Sequence, residues 1–309
     1  MSIIEKALEK ASDKLAAPRA AVQAEADNHI GEAPSSESGA SFITEVAELA
    51  QGAGKLKEPS GALHQIDWEA LRAKGMLVPD MARSQLAEEY RLIKRPLLMN
   101  AFPEGDNGIE RANLLLVTSS VPGEGKTFTA VNLALSIAME MDKTVLLVDA
   151  DVAKPSISKL LGISESAGLI DLLEGKSLRV ADVLLKTDVP NLRVLPAGRL
   201  HQHSTELLAS AAMRKLAKEL SERYHDRIVI FDSPPLLAAT QGSVLAALVG
   251  QVVLVIESEV TPQYIVQESV AKLEACKVVG SVLNKTKKGF GFTHYGYGYG
   301  HGYGEYGHQ

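Results

Sequence analysis

Continuous apolar runs alternate with helical periodicities along the chain from about residue 80 to residue 284. Uninterrupted apolar runs are typical of strands buried on both faces of a sheet, and apolar residues three or four apart predict helices. We expect strands at 113–120, 144–151, 192–198, 227–235, 251–258 and 278–284, and helices at 128–141, 205–224 and 262–275. Such alternation predicts an α/β fold, a mostly parallel sheet with helices on both faces.

Two segments outside this pattern divide the chain into three parts. Ile4, Leu8, Ala11 and Leu15 lie at helical spacing and predict a short amphipathic helix, which either packs on its own domain or contacts a partner. Residues 17–62 are rich in Ala, Ser, Glu and Gly, as expected of a linker. The predicted parts are a helical and disordered extension over 1–79, a folded domain over 80–286 and a flexible C-terminal tail over 287–309.

Composition and charge exclude several classes of protein. The chain is 46% hydrophobic with a net charge of −6, which supports a full core and argues against a nucleic-acid partner. The single Cys276 excludes an intramolecular disulfide and a cysteine-rich metal cluster, and it fits a reducing compartment. Neither a membrane span nor a signal-peptide core is apparent, so we expect a cytoplasmic protein.

The first predicted strand runs directly into the loop SVPGEGKT, residues 120–127, and a helix follows at once. Glycines let such a loop curl so that its N–H groups and the helix N-terminus face phosphate oxygens. Lys126 is expected to reach the β- and γ-phosphates, and Ser120 stands where the general motif has its first glycine. This is the strand–loop–helix context of P-loop NTPases. The predicted nucleotide-binding residues are Ser120, Val121, Pro122, Gly123, Glu124, Gly125, Lys126, Thr127 and Phe128.

Three aspartates lie toward the carboxyl ends of two of the other predicted strands. Asp149 and Asp151 are two positions apart at the end of one strand, and Asp232 ends another before a Ser-Pro-Pro sequence. Ligands of open α/β sheets bind at the carboxyl ends of the strands, where carboxylates can hold Mg²⁺ or accept a proton. We therefore predict ATP and Mg²⁺ as cofactors, with Thr127, Asp149 and Asp232 as metal ligands. The predicted catalytic residues are Lys126, Asp149, Asp151 and Asp232.

The C-terminal sequence HYGYGYGHGYGEYGHQ has no use in a packed core, but glycine spacing would let each tyrosine reach an active site. Asn284, at the end of the last predicted strand, is expected to contact the adenine edge. The predicted phosphoacceptors are Tyr295, Tyr297, Tyr299, Tyr303 and Tyr306.

The combination of motifs resembles the bacterial tyrosine kinases, P-loop autokinases that regulate exopolysaccharide and capsule export. It is most similar to the tyrosine autokinases of exosortase-linked exopolysaccharide systems. The matching motifs are TSSVPGEGKT as Walker A, VLLVDADVAKP as the A′ motif, IVIFDSPP as Walker B, STELLAS and the tyrosine cluster. The resemblance implies ATP-dependent autophosphorylation, in trans, with Asp149, Asp151 and Asp232 binding Mg²⁺ and activating the tyrosine hydroxyl.

The same resemblance implies partners. Members of the family form homo-oligomeric rings through a Glu-x-x-Arg-x-x-Arg helix, and Glu88, Arg91 and Lys94 hold that spacing with Arg95 adjacent. A solvated charged face explains these residues equally well. Lysine lacks the bidentate fork of arginine, so the interface is expected to be weaker or to use Arg95. The A′ motif also lacks one of the family's two arginines. The family further implies a separate membrane-spanning chain-length regulator that activates the kinase and recruits it to the inner face of the membrane.

Two other functions fit part of the pattern. A partitioning or cell-division-site ATPase shares the P-loop class, but such proteins carry an additional lysine early in the loop, and no lysine precedes Lys126 in this one. A nucleotide-switched scaffold would use the Gly/Tyr tail as an adhesive segment. Incubation with ATP separates the kinase from the other two, because only a kinase labels itself with phosphate. Deletion of 289–309 should then abolish the label if the tail is the substrate.

Overall fold

A computed structural model describes residues 63–287, apart from 106–107, 165, 176–177, 200–201 and 224–225. The strands of this part are β1 (Leu63–His64), β2 (Leu114–Ser119), β3 (Thr144–Asp149), β4 (Leu185–Thr187), β5 (Leu192–Leu195), β6 (Arg227–Asp232), β7 (Gln251–Glu257) and β8 (Val278–Asn284). Its helices are α1 (Trp68–Ala73), α2 (Gln85–Ala101), α3 (Lys126–Ala138), α4 (Ser156–Leu160), α5 (Leu169–Leu173), α6 (Val180–Val183), α7 (Ser204–Leu208), α8 (Ala211–Glu222), α9 (Gln241–Ala246) and α10 (Gln263–Ala271), with a 3-10 turn at Pro79–Met81.

Within the described residues, these strands form one sheet in the order β1-β4-β5-β3-β6-β2-β7-β8. Neighbouring strands are parallel except β4 and β5, which pair antiparallel. The predicted α/β fold with a mostly parallel sheet is therefore confirmed. The short strands β1 and β4 were not predicted, because two or three residues are too few to show a period.

Helices cover both faces of the sheet, as predicted. Along β2, Leu114 and Leu116 contact one apolar cluster, which includes residues of α5, α8 and α9. The intervening Leu115 and Val117 contact a second cluster, built with α1, α2 and α3. Because successive strand residues point to opposite faces, an unbroken apolar run is what a strand between two helical layers requires.

Strand register brings the predicted chemical residues to one edge of the sheet. β2 lies between β6 and β7, and β6 lies between β2 and β3. Asp232 is in register with Val117 on one side and with Asp149 on the other. The loop that follows β2 therefore lies beside the ends of β3 and β6, at the carboxyl edge where ligands of such sheets bind.

The folded core begins before residue 80. Ile66, Leu71 and Leu77 are buried among residues of α2 and α3. The Leu77 N–H donates to Asn132 Oδ1 at 2.7 Å, and Trp68 Nε1 donates to Asp188 Oδ2 at 2.8 Å. Residues 63–79, which the sequence pattern assigned to the N-terminal extension, thus belong to the core of the domain. The amphipathic helix and linker predicted over 3–62 lie outside the described residues.

The bounds of two helices have local causes. Helix α2 continues through Pro96 to Ala101, because Leu97 is buried and Leu98 packs on the core beyond the proline. The helix predicted over 205–224 is divided into α7 and α8, since the Ser210 side chain accepts from the Met213 N–H and starts a new helix. None of the helices in the described ranges combines the length and apolar character that a membrane span requires.

The charged side chains of α2 do not share one face. The side chains of Glu88 and Arg91 are 63% and 43% exposed and pair with each other. Lys94 is buried instead, donating to the Ser136 carbonyl at 2.7 Å and pairing with Glu140. The prediction that Lys94 takes part in an oligomer interface is therefore wrong, because its ammonium is bonded within its own subunit. Arg95, its neighbour, is exposed.

The buried position of Lys94 predicts a loss of stability when its charge is removed. Lys94→Met keeps the aliphatic stem but leaves the buried Ser136 carbonyl without this donor, so we expect the free energy of unfolding to fall by about 1–3 kcal/mol. Urea unfolding measures the loss, and the exposed control Arg95→Met should stay within about 0.5 kcal/mol of the wild type. A Lys94→Met protein that changed oligomeric state at unchanged stability would contradict this assignment.

Candidate active site

The loop between β2 and α3 has the backbone shape that the sequence predicts. Gly123 and Gly125 have φ angles of +95° and +97°, a region that other residues rarely adopt. A Cβ on Gly125 would lie 2.0 Å from Asn284 Nδ2, so side-chain space is closed there as well. Helix α3 begins at Lys126 immediately afterwards. The loop thus offers its N–H groups and a helix N-terminus together, which is the arrangement of a phosphate site.

The remaining loop residues occupy distinct surroundings. Ser120 is buried, and its Oγ has no hydrogen-bond partner among the described residues. Pro122 and Gly123 are exposed at the tip, whereas Phe128 packs against the core from the first turn of α3. The N–H of Val121 donates to Glu124 Oε2 at 2.8 Å within the loop itself.

Lys126 and Asp151 form an ion pair at the mouth of the site. Lys126 Nζ lies 2.9 Å from Asp151 Oδ2, and the two side chains are 13% and 5% exposed. The other carboxylate oxygen of Asp151 accepts from the N–H of Lys154 at 3.2 Å. Asp151 therefore compensates the charge of the lysine that is predicted to bind phosphate.

Thr127, which follows Lys126 in α3, is hydrogen-bonded to Asp232. The Thr127 hydroxyl donates to Asp232 Oδ2 at 2.7 Å, while Asp232 Oδ1 is buried without a partner in the described part of the chain. Burial raises the pKa of Asp232 to about 7, against the opposing effect of Lys126. A fully buried carboxylate with one oxygen unsatisfied is costly unless a cation or proton neutralises it.

Asp149 is held by a residue that the sequence analysis missed. Its Oδ2 accepts from both the N–H and the hydroxyl of Ser158, at 2.7 and 2.8 Å, and its Oδ1 is buried without a partner among described residues. Burial raises the pKa of Asp149 to about 6, although both bonds from Ser158 favour the ionised form. Ser158 lies nine residues along the chain in the short helix α4, where no motif marks it.

These residues fit a divalent cation. Asp149 and Asp232 are in register on adjacent strands, and each has one buried oxygen without a partner among the described residues. The Thr127 hydroxyl donates to the other oxygen of Asp232. Mg²⁺ prefers oxygen ligands, usually one or two carboxylates with water and phosphate oxygens. A cation bound to these oxygens would satisfy them and lower both raised pKa values. The predicted metal ligands Thr127, Asp149 and Asp232 are compatible with this geometry, and their assignment stays a prediction.

Asn284 lies beside the phosphate loop. Its Nδ2 donates to the Glu124 carbonyl at 2.8 Å, so the amide nitrogen is bonded to the loop. The predicted adenine contact remains a prediction for the rest of this side chain. The five predicted phosphoacceptor tyrosines, between residues 295 and 306, lie outside the described residues.

Comparison with known proteins identifies similar sequences and folds. A family model for an AAA domain matches residues 115–279. The tyrosine-protein kinase YwqD of Bacillus subtilis is 33% identical over 207 residues, 66% of this chain and 83% of that protein. The putative tyrosine-protein kinase CapB of Staphylococcus aureus is 31% identical over 212 residues, covering 68% and 89%. The kinase domain of the Escherichia coli tyrosine kinase ETK superposes with a TM-score of 0.57 at 26% identity, covering 75% of this chain and 94% of that one.

Proposed function

The chain belongs to the bacterial tyrosine kinase family, and from this premise we propose how its site works and which tyrosines it modifies. It is an ATP-dependent protein-tyrosine autokinase with a P-loop nucleotide site. We infer that the substrate is the tail over 287–309 and that a neighbouring copy supplies the active site. The observation that carries the assignment of the site is a convergence of side chains at one sheet edge, namely Lys126, Thr127, Asp149, Asp151 and Asp232. Two of the buried carboxylate oxygens there have no partner in the described part of the chain.

The proposed roles follow from these contacts. Thr127, Asp149 and Asp232 would hold Mg²⁺, which supplies positive charge to the phosphate oxygens when it is bound. Lys126 would leave Asp151 for the β- and γ-phosphates of ATP and stabilise the charge of the transferring group. Its departure frees the Asp151 carboxylate to accept a proton.

The chemical step needs a base, because a tyrosine hydroxyl has a pKa near 10 and is a poor nucleophile at neutral pH. We assign that base to Asp151. The tyrosine oxygen forms a bond to the γ-phosphorus as the bond from that phosphorus to the β–γ bridging oxygen breaks and ADP leaves. The phenolic proton passes to Asp151, so that phosphotyrosine and ADP are the products.

Chain length supports a tail substrate. The last described residues are attached beside the site, since Asn284 donates to the loop and Lys285 Nζ lies 2.9 Å from Glu257 Oε2. Tyr295 follows Lys287 by eight residues and Tyr306 by nineteen. Extended chain of those lengths spans at most roughly 26–29 Å and 63–68 Å. The chain that leads to the more distant tyrosines is therefore long enough for them to enter the site of an adjacent copy.

Mass spectrometry after incubation with Mg-ATP tests the substrate assignment. We expect phosphate on tyrosines between residues 295 and 306, and a loss of nearly all labelling when the five are replaced by phenylalanine. Tyr264→Phe is a matched control, because Tyr264 is 67% exposed but lies on α10 outside the tail. Undiminished labelling of the five-fold variant would show that the tail is not the substrate.

A mixture of two variants tests transfer between copies. The acceptor is the full-length Lys126→Met chain, which keeps its tail, and the donor is an otherwise wild-type chain without residues 289–309. Phosphate on the acceptor requires transfer in trans. If wild-type protein labels itself but the acceptor stays unlabelled, transfer occurs within one chain.

The cellular role is proposed from the family resemblance. We place the kinase in the cytoplasm, bound at the inner face of the membrane to a separate membrane-spanning chain-length regulator of exopolysaccharide export. An oligomer would form through the exposed Glu88 and Arg91 of α2, with Arg95 in place of the buried Lys94. Each phosphate adds about −1.5 to −2 charges. Repeated phosphorylation of adjacent tails would therefore drive subunits apart.

A further inference from the structure

A buried carboxylate lies within the phosphate loop itself. Glu124 is 1% exposed and sits between Gly123 and Gly125, the two loop residues with positive φ. An acidic group in a loop that binds phosphates would repel them unless it is turned away and its charge is compensated. A buried carboxylate also requires donors for its oxygens. The contacts of Glu124 meet the second requirement, since donors are present for its oxygens.

Both oxygens of this carboxylate accept hydrogen bonds. Glu124 Oε2 accepts from the N–H of Val121 at 2.8 Å, at the start of the loop. Glu124 Oε1 accepts from the N–H of Glu257 at 3.3 Å and from the hydroxyl of Thr261. Residues 257–261, termed the 257–261 turn, connect β7 to α10. The side chain thus ties the phosphate loop to the turn that follows the neighbouring strand.

The backbone of Glu124 is tied to the same region. Its carbonyl accepts from Asn284 Nδ2 at 2.8 Å, and the Asn284 carbonyl in turn accepts from the N–H of Ser258 at 2.9 Å. Glu124 is therefore bonded through its side chain to the 257–261 turn and through its carbonyl to the end of β8. Glycines flank Glu124 on both sides, and glycine backbone is free to adopt many conformations unless contacts such as these fix it.

We propose that Glu124 is a positioning residue for the kinase reaction, which fixes the phosphate loop in its nucleotide-binding shape by tying it to the 257–261 turn. This inference rests on the proposed function of the loop. Because the N–H groups of the loop must converge before phosphate binds, losing the tie adds an ordering cost to ATP binding. The chemical step, which is assigned to other side chains, is affected less.

Nucleotide affinity of the full-length chain tests this role, with a fluorescent ATP analogue and Mg²⁺ as the probe. Glu124→Ala should weaken binding about tenfold or more, equivalent to about 1.4 kcal/mol, and raise KM for ATP while kcat changes by less than about threefold. Thr261→Val removes one donor and should weaken binding by about threefold. Thr261→Ser retains the hydroxyl and should bind as the wild type does.

Glu257→Gln is the matched control, because it removes the side-chain pair with Lys285 but keeps the N–H that Glu124 uses. Binding by Glu124→Ala within twofold of the wild type overturns the inference, as does equal weakening by Thr261→Val and Thr261→Ser. If Glu124→Ala does not fold, the Thr261 pair decides alone. The proposed function fails separately, when wild-type protein binds the probe but incorporates no phosphate into its tail.

Discussion

Lys126→Met is expected to reduce self-phosphorylation by at least about 10²-fold, the cost of losing one preorganised donor to transition-state charge. Methionine keeps the length and apolar stem of the side chain but has no charge. Lys126 is the cation next to the three carboxylates, and its Nζ lies 2.9 Å from Asp151 Oδ2. Transfer of phosphate from ATP to protein, measured by phosphotyrosine mass spectrometry under initial-rate conditions, checks the prediction.

Control variants separate this effect from a folding defect. Lys218→Met changes a lysine on α8 that is 69% exposed, and it should label at the wild-type rate. Lys126→Met leaves the buried Asp151 without its partner, so its thermal unfolding should be measured as well. Folded Lys126→Met protein that kept more than about a tenth of wild-type activity would contradict the assigned site.

The parts of the site that the sequence predicts share one physical property. The loop at Ser120 and the carboxylates Asp149 and Asp232 each follow an unbroken apolar strand, and a parallel sheet gathers strand ends at one edge. Local pattern and topology thus suffice to bring them together. Ser158 and Glu124 act through contacts that join residues 9 and 133 positions apart. No local pattern encodes those contacts, so their roles emerge only from the fold.

The α2 helix shows a second limit of sequence reasoning. Residues spaced three apart advance about 300° around a helix, so each falls about 60° behind the one before. Across Glu88, Arg91 and Lys94 the drift is about 120°, enough to carry the third residue from the exposed face to the buried one. A spacing motif therefore does not establish a shared face. The position of the core decides which member points inward, and in this helix it is Lys94.

Asp232→Asn is expected to make the nucleotide-free protein more stable while it abolishes phosphate transfer. Burial raises the pKa of Asp232 to about 7, so at pH 8 the folded state holds a buried charge with one unsatisfied oxygen. Asparagine has nearly the same shape without the charge. Since each pKa unit is worth about 1.4 kcal/mol, we expect a gain on the order of 1–3 kcal/mol at pH 8. Thermal or urea unfolding without Mg²⁺ or nucleotide measures it.

The pH dependence of stability is an independent test of whether the Asp232 charge destabilises the folded protein. The folded-state pKa of Asp232 lies above the ordinary aspartate value of 3.8, so its favourable contribution to stability is complete below about pH 3.8 and is lost as the pH rises through about 7. Asp149 contributes in the same direction, and its contribution to stability is lost as the pH rises through about 6. The wild type should therefore lose stability between about pH 4 and pH 7. Asp232→Asn should lose less, because only Asp149 of the two still titrates.

Binding of Mg-ATP should reverse the order of stability of the wild type and Asp232→Asn. Mg-ATP stabilises a protein that binds it in the folded state, and the wild type keeps the carboxylate assigned to the metal. Asp232→Asn should gain much less from Mg-ATP and incorporate no phosphate. Asp226→Asn, an exposed change just before β6, serves as the control and should behave as the wild type. If Asp232→Asn were no more stable than the wild type at pH 8, the carboxylate would not be strained by its burial, and the metal assignment would lose its physical basis.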